Sequence, residues 1–301
     1  MLNSPPLLSL RAYQREVFWR DDLRRCGLSW KRQDGKSTTL AGVGLRRMME
    51  HPGRLVIFSS ASILLGTEFI RKEAELWQKF LTAWKEAAVA AGMQAESNAD
   101  GLDVDAVSEL LEHSKLETKL WHDRTRHSRS RVVAPNPDTA VGWTGDVFID
   151  EFGRVPELQA VLEAIQPIMD NNPQFILRLA TTPPPDDAHY SWELLAPEQE
   201  EFPVNPLGNW YRSAAGLLVH RHDVHDAHAA GLSCFHPDTG VPITPEEHRA
   251  RQFDKAAWDR NYALCFLRGG VSAVSLVALQ SAMARGAGLC LARSSTEEIA
   301  A

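Results

Sequence analysis

Leu28-Ser29-Trp30-Lys31-Arg32-Gln33-Asp34-Gly35-Lys36-Ser37-Thr38-Thr39-Leu40 decides how the chain is read. Its centre, Arg32 to Ser37, reads as the second half of a phosphate-binding loop. Such a loop closes tightly on an anion, and the helix after it turns free N–H groups toward that anion. Gly35 lets the backbone approach the phosphates. Lys36 places a point charge at the β- and γ-phosphates, and Ser37 offers a hydroxyl to Mg²⁺. A helix is expected to follow through Thr38, Leu40, Val43, Leu45 and Met48. The full pattern G-x-x-x-x-G-K-S/T wants glycine where this chain has Trp30, and Gly-Lys-Ser alone is common by chance. An ordinary loop-to-helix junction is the competing reading.

A second stretch shifts the balance. Val147-Phe148-Ile149-Asp150-Glu151 is an apolar run ending in two carboxylates. A buried parallel strand that delivers acids to the end of a sheet has this form. In phosphate-loop enzymes the first acid holds Mg²⁺ and the second polarises the attacking water. Taken alone, Asp-Glu after a strand reads as a helix N-cap. Gln174 to Pro183 supplies a further strand, stopped by Pro183, Pro184 and Pro185. It leaves Thr181 and Thr182 at a carboxyl end, where open parallel sheets place ligands.

The chain has 301 residues, 44% hydrophobic and 24% charged, which is ordinary for a globular α/β protein. No apolar run approaches the roughly 20 residues of a membrane span. The net charge of −7 gives no general attraction to nucleic acid, so any such contact is local. Cys26, Cys234, Cys265 and Cys290 lack metal-like spacing and read as reduced thiols. The first residues carry no secretion signal.

Outward from the loop, Leu10 to Leu23 reads as an amphipathic helix, residues 26–30 as the strand feeding the loop, and Arg54 to Ser60 as the next strand. Leu64 to Ala91 has helical spacing of Phe69, Leu76, Trp77, Phe80, Leu81 and Trp84. Residues 96–105 read as a loop and Val107 to Leu120 as another helix. His122 to Arg131 is strongly basic, either a contact for DNA phosphates or a solvated loop. Residues 131–134 read as a strand, 135–145 as a Gly/Pro loop, and Val155 to Met169 as a helix. His220, His222, His225, His228 and His236 invite a metal site, but no Cys or carboxylate completes a known signature. Helices are expected at 245–254, 258–266 and 274–285.

Four motifs in this order resemble the large terminase subunits of tailed bacteriophages. Arg32 to Ser37 is similar to their phosphate loop, which tolerates a non-glycine where Trp30 stands. Residues 147–151 are similar to their Walker B strand, and Ala180-Thr181-Thr182-Pro183 to their coupling motif. Asp259 to Phe266 is similar to the segment leaving the ATPase domain. The resemblance covers about residues 10–270, and is nearest the Mu-like branch. It implies an α/β P-loop NTPase core with a mostly parallel sheet flanked by helices and a small lid. The expected boundaries are 1–185 for the ATPase core, 186–270 for the lid and linker, and 271–301 for a residual tail without the nuclease domain.

The resemblance further implies ATP and Mg²⁺ as cofactors. Gln14 would sit near adenine, and Gln33, Asp34, Gly35, Lys36, Ser37 and Thr38 would line the nucleotide. Ser37 and Asp150 would hold the metal. Glu151 would orient the water, with Lys36 and with Arg32 as a finger in cis, and Thr181 would sense the γ-phosphate. Double-stranded DNA, the portal protein, the small terminase subunit and a ring of identical copies on the capsid are the implied partners, in the bacterial host cytoplasm. Because the tail holds Glu297 and Glu298 but no Asp, a two-metal nuclease is not expected, and a truncated or split gene would account for it. Two other readings stay open: a degenerate terminase remnant without catalysis, and a helicase-like P-loop ATPase.

Overall fold

The computed structural model describes residues 10–90, 110–197 and 209–267. In chain order the elements are α1 (Ala12–Phe18), β1 (Arg25–Trp30), α2 (Lys36–Glu50), β2 (Leu55–Ser60), α3 (Ile63–Ala90), β3 (Leu111–His113), β4 (Glu117–Trp121), β5 (His127–Val133) and α4 (Pro137–Ala140). There follow β6 (Asp146–Asp150), a 3-10 turn (Phe152–Arg154), α5 (Leu158–Asn171), β7 (Leu177–Thr181), α6 (Tyr190–Leu195), β8 (Trp210–Arg212) and β9 (Leu218–His222). The last are α7 (Val224–Ala229), β10 (Cys234–Phe235), β11 (Pro242–Ile243), α8 (Pro245–Ala250) and α9 (Lys255–Asn261).

Nine strands form one sheet in the order β3-β4-β5-β2-β6-β7-β1-β9-β8. The run from β5 to β9 is parallel, and β3, β4 and β8 add antiparallel edges. The central strands read as continuous apolar runs because helices cover both faces. Val56, Phe58 and Phe148 pack with Leu40, Val43 and Phe69 of α2 and α3 on one side. Ile57, Val147, Ile149 and Leu179 pack with Leu158, Val161 and Ile165 of α5 on the other. Phe58 and Phe69 stack with centroids 3.7 Å apart. A Cβ at Gly66 would stand 2.2 Å from Val132 Cγ1. Only glycine lets α3 cross β5 so closely.

Several expectations are corrected. Residues 111–121 form the β3–β4 hairpin, not a helix. His127 to Arg131 lies inside β5, not in a loop, with Ser128, Ser130 and Val132 buried and Arg129 and Arg131 exposed. α1 stops at Phe18, short of Leu23. The helix expected at 258–266 spans Lys255–Asn261, and the 135–145 loop contains α4. The sheet also takes in strands beyond residue 185: β9 pairs in parallel with β1, and β8 closes that edge. The expected loop at 96–105, the helix at 274–285, and Glu297 and Glu298 lie outside the described residues.

Under α3 the core turns polar. Glu73 is fully buried, and its carboxyl oxygens, like the Thr118 and Ser130 hydroxyls, make no hydrogen bond of ordinary geometry. Burial pushes the Glu73 carboxyl up to about 8, against a smaller downward pull from Thr118 and Ser130. Between the ordinary value of 4.5 and about 8 the native state keeps a proton that the unfolded chain has released. Stability should therefore fall as pH rises through that window. Glu73→Gln is expected to flatten this slope and to raise the melting temperature more near pH ~8 than near pH ~5. Equal shifts at both would show that ionisation of Glu73 does not set the slope.

Candidate functional site

β1, β6 and β7 end on one edge of the sheet, with Asp150 opposite Ala180 and Ser29 opposite Thr181. The chain leaves β1 at Trp30, turns through Lys31 to Gly35 and enters α2 at Lys36. Two left-handed residues make the turn, Gln33 at φ 60° and Gly35 at φ 79°. Glycine takes that conformation without strain, and Gln33 does not. The first N–H groups of α2 have no partners within the helix, so the turn is a ready anion site.

Lys36 folds back across this loop. Its Nζ donates to the carbonyls of Trp30 at 3.0 Å and Lys31 at 3.2 Å, and lies 4.0 Å from Glu151. The residue is only 6% exposed. Burial depresses the ammonium pKa, opposed by the charges of Glu151 and Asp150. Ser37 Oγ donates to Asp150 Oδ2 at 2.5 Å, and Asp150 Oδ1 accepts the Glu151 N–H at 3.0 Å. Burial raises the Asp150 pKa, and the Glu151 charge adds to it. A hydroxyl and a carboxylate oxygen are the hard donors Mg²⁺ prefers, and a divalent cation between them would offset that crowding of charge. Glu151 opens the 3-10 turn at φ 51°, a left-handed conformation that costs a non-glycine residue energy.

The other expected residues divide. Arg32 and Gln33 lie exposed at the loop tip, and the Arg32 N–H donates to the Asn261 carbonyl at 3.0 Å. Thr38 is half-buried in the first turn of α2. Gln14 packs against the loop, its amide donating to Thr39 Oγ1 at 3.0 Å and accepting the Arg11 N–H at 2.9 Å. The Thr181 hydroxyl is buried and accepts the Gly153 N–H at 3.3 Å, which ties the turn after Glu151 to β7. Asp34 is buried too, paired with Lys31 at 2.9 Å and with His222. Burial raises its pKa, but His222 and Lys31 outweigh that and the net shift is downward.

Sequence reasoning missed Tyr13, Lys31 and the role of the histidines. His220 and His222 share one face of β9 and point under the loop, while His225 and His228 lie exposed on α7. Trp30 is fully buried and its indole N–H donates to His220 Nδ1 at 2.9 Å. Two histidines spaced i, i+2 at a strand end were the available signal. Among the described residues, the one cluster with ligand-like spacing is Asp21, Glu50 and His51, and Arg46 and Arg47 already occupy Asp21.

No protein-family model and no curated protein matches the sequence. Solved structures are similar in fold. The large terminase ATPase domain of Thermus phage P74-26 superposes with a TM-score of 0.55 at 15% identity, covering 86% of this chain and 94% of that one. A mutant of the same domain gives 0.57 at 14%, covering 86% and 95%. The large terminase of bacteriophage HK97 gives 0.53 at 14%, covering 87% of this chain, which spans about half (51%) of that one. These likenesses do not single out a Mu-like branch. No helix among the described residues is long and apolar enough to cross a membrane. The chain has the P-loop NTPase fold, in the form seen in the ATPase domains of phage large terminases.

Proposed function

We propose that the chain is the ATP-hydrolysing motor of a phage terminase large subunit, which drives double-stranded viral DNA into a prohead. The observation that carries it is the convergence of Lys36, Ser37, Asp150 and Glu151 on one loop at the carboxyl edge of the sheet. In this reading the α2 N–H groups and Lys36 take the β- and γ-phosphates, and Arg32 reaches the γ-phosphate from the loop tip. Ser37 and Asp150 hold Mg²⁺, which when bound shields the phosphate charge. Glu151 accepts a hydrogen bond from the attacking water and aligns it. Thr181 acts through Gly153 by fixing the turn that carries Glu151, and Gln14 braces the loop beside the nucleotide.

The face of β4 and β5 away from α3 carries Lys119 opposite Arg129 and Glu117 opposite Arg131, with Arg129 4.0 Å from Glu117. We place DNA phosphates on Lys119, Arg129 and Arg131, three cations set among Glu112 and Glu117 on a chain of net charge −7. The portal protein, the small subunit and a ring of copies are the further partners of this reading, in the bacterial cytoplasm.

The test is phosphate release by the purified chain in Mg²⁺, with and without duplex DNA. Slow turnover that Lys36→Ala abolishes is expected. Arg129→Glu combined with Arg131→Glu should lower DNA retention and flatten its salt dependence. Nucleotide binding without any turnover would turn the reading toward a catalytically dead relative, and strand displacement toward a helicase.

A further inference from the structure

The phosphate loop contains a carboxylate. Asp34 stands one residue before Gly35, in the part of the loop that must wrap a polyanion. Turned toward the cradle, it would repel a triphosphate at short range with little water to screen it. It is turned the other way. Its Oδ1 meets Lys31 Nζ at 2.9 Å, its Oδ2 meets His222 Nδ1, and its backbone carbonyl accepts the Tyr13 hydroxyl at 2.8 Å.

His222 is itself held. The Tyr13 ring stacks on the imidazole at 3.7 Å and 18°. His222 pairs in register with Trp30 across β1 and β9, and its carbonyl accepts the Lys31 N–H at 2.9 Å. Trp30 supports the same wall. Tyr13 meets its edge at 4.9 Å, and His220, which takes the indole N–H, is tied on its other nitrogen to Glu16 at 3.0 Å. The bulky residue that stands where the motif wants glycine thus props the stack that restrains Asp34.

We infer that His222 is a positioning residue for nucleotide binding: it holds the Asp34 carboxylate out of the anion cradle. The loop then presents only N–H groups, Arg32 and Lys36 to the phosphates. This rests on the nucleotide reading above. The imidazole touches neither phosphate nor metal in this role and acts only through Asp34.

The experiment compares Mg-ADP binding by calorimetry, and ATP turnover, for four chains: unchanged, His222→Phe, His222→Asn, and His222→Phe with Asp34→Asn. His222→Phe keeps a ring to stack on Tyr13 but has no donor. It should weaken Mg-ADP binding about tenfold, the size of one hydrogen bond to a charged group, and raise KM more than it lowers kcat. His222→Asn restores a donor and should recover most of the affinity. Adding Asp34→Asn to His222→Phe should also recover it, because the repelling charge is gone. A purely structural defect would deepen with that second change. Should His222→Phe fail to fold, His222→Ala serves in its place, with melting temperatures as the check. Unchanged binding in the donor-less variant, or no recovery in the double variant, overturns the inference while nucleotide binding stands. A wild-type chain that binds no Mg-ADP overturns the nucleotide reading and this inference with it.

Discussion

Glu151→Gln is expected to bind Mg-ATP about as tightly as the unchanged chain and to turn it over about 100-fold more slowly or worse. Gln keeps the shape of Glu and tolerates the left-handed turn about as well, so the 3-10 turn should survive. What disappears is the carboxylate 4.0 Å from Lys36, the group proposed to orient the attacking water. Binding should not suffer, because Glu151 is one of the charges that raises the Asp150 pKa, and its loss leaves Asp150 a better metal ligand. Asp150→Asn should behave differently, losing the Mg²⁺ dependence and the affinity together, since its carboxylate already meets Ser37 Oγ at 2.5 Å. Calorimetric titration beside single-turnover hydrolysis separates the two. Equal loss of binding in both variants would sink this division of roles. Lys36→Ala is a coarser probe. The Nζ also bridges the Trp30 and Lys31 carbonyls, so its removal should loosen the loop as well as remove the charge.

The central sheet was legible in the sequence because strands covered on both faces must be apolar along their length. Residues 54–60, 147–151 and 174–183 were found that way, and the loop between β1 and α2 by its Gly-Lys-Ser. Reading failed where burial is not apolar. β5 turns Ser128 and Ser130 inward, and β4 turns Thr118 inward, toward the buried Glu73. Hydropathy therefore showed a basic loop and a vague helix where period 2 in small hydroxyl residues was the true signal. The support beneath the phosphate loop was hidden for another reason. His222 lies 188 positions from Asp34. Only the register of β9 against β1 brings them together, and no local pattern encodes that register. The same holds for Arg178, which sits fully buried in β7 with its guanidinium donating to the Leu23 and Arg20 carbonyls at 2.7 and 2.8 Å. A charged residue in a central parallel strand contradicts the apolar rule unless the backbone termini beside it supply acceptors.

Arg47→Met is expected to destabilise the chain by about 3–5 kcal/mol, the cost of stranding a buried charge. Arg47 donates from Nε and Nη2 to the two oxygens of Asp146 at 2.9 and 3.0 Å, and from Nη2 to the Gln174 carbonyl at 2.6 Å. Asp146 Oδ1 also accepts the Ile176 N–H at 2.9 Å, and the next cation, Arg54, is 3.8 Å away. Burial alone would lower the Arg47 pKa, yet the bonds to Asp146 raise it overall. Adding Asp146→Asn to Arg47→Met removes the stranded charge and keeps the acceptor for Ile176. The pair of changes should therefore be less damaging than Arg47→Met alone. Urea midpoints for the three variants decide it, and a loss under about 1 kcal/mol for Arg47→Met, as for an exposed pair, would refute the assignment. The bond also bears on the site. Ten residues of α2 from Ser37 to Arg47 span roughly 15 Å, and the four steps of β6 from Asp150 to Asp146 roughly 13 Å. The helix is thus clasped to the strand at both ends, by Ser37–Asp150 above and Arg47–Asp146 below. Loosening the lower clasp should let the upper one drift, and Arg47→Met is expected to weaken Mg-ATP binding at temperatures where it is still folded.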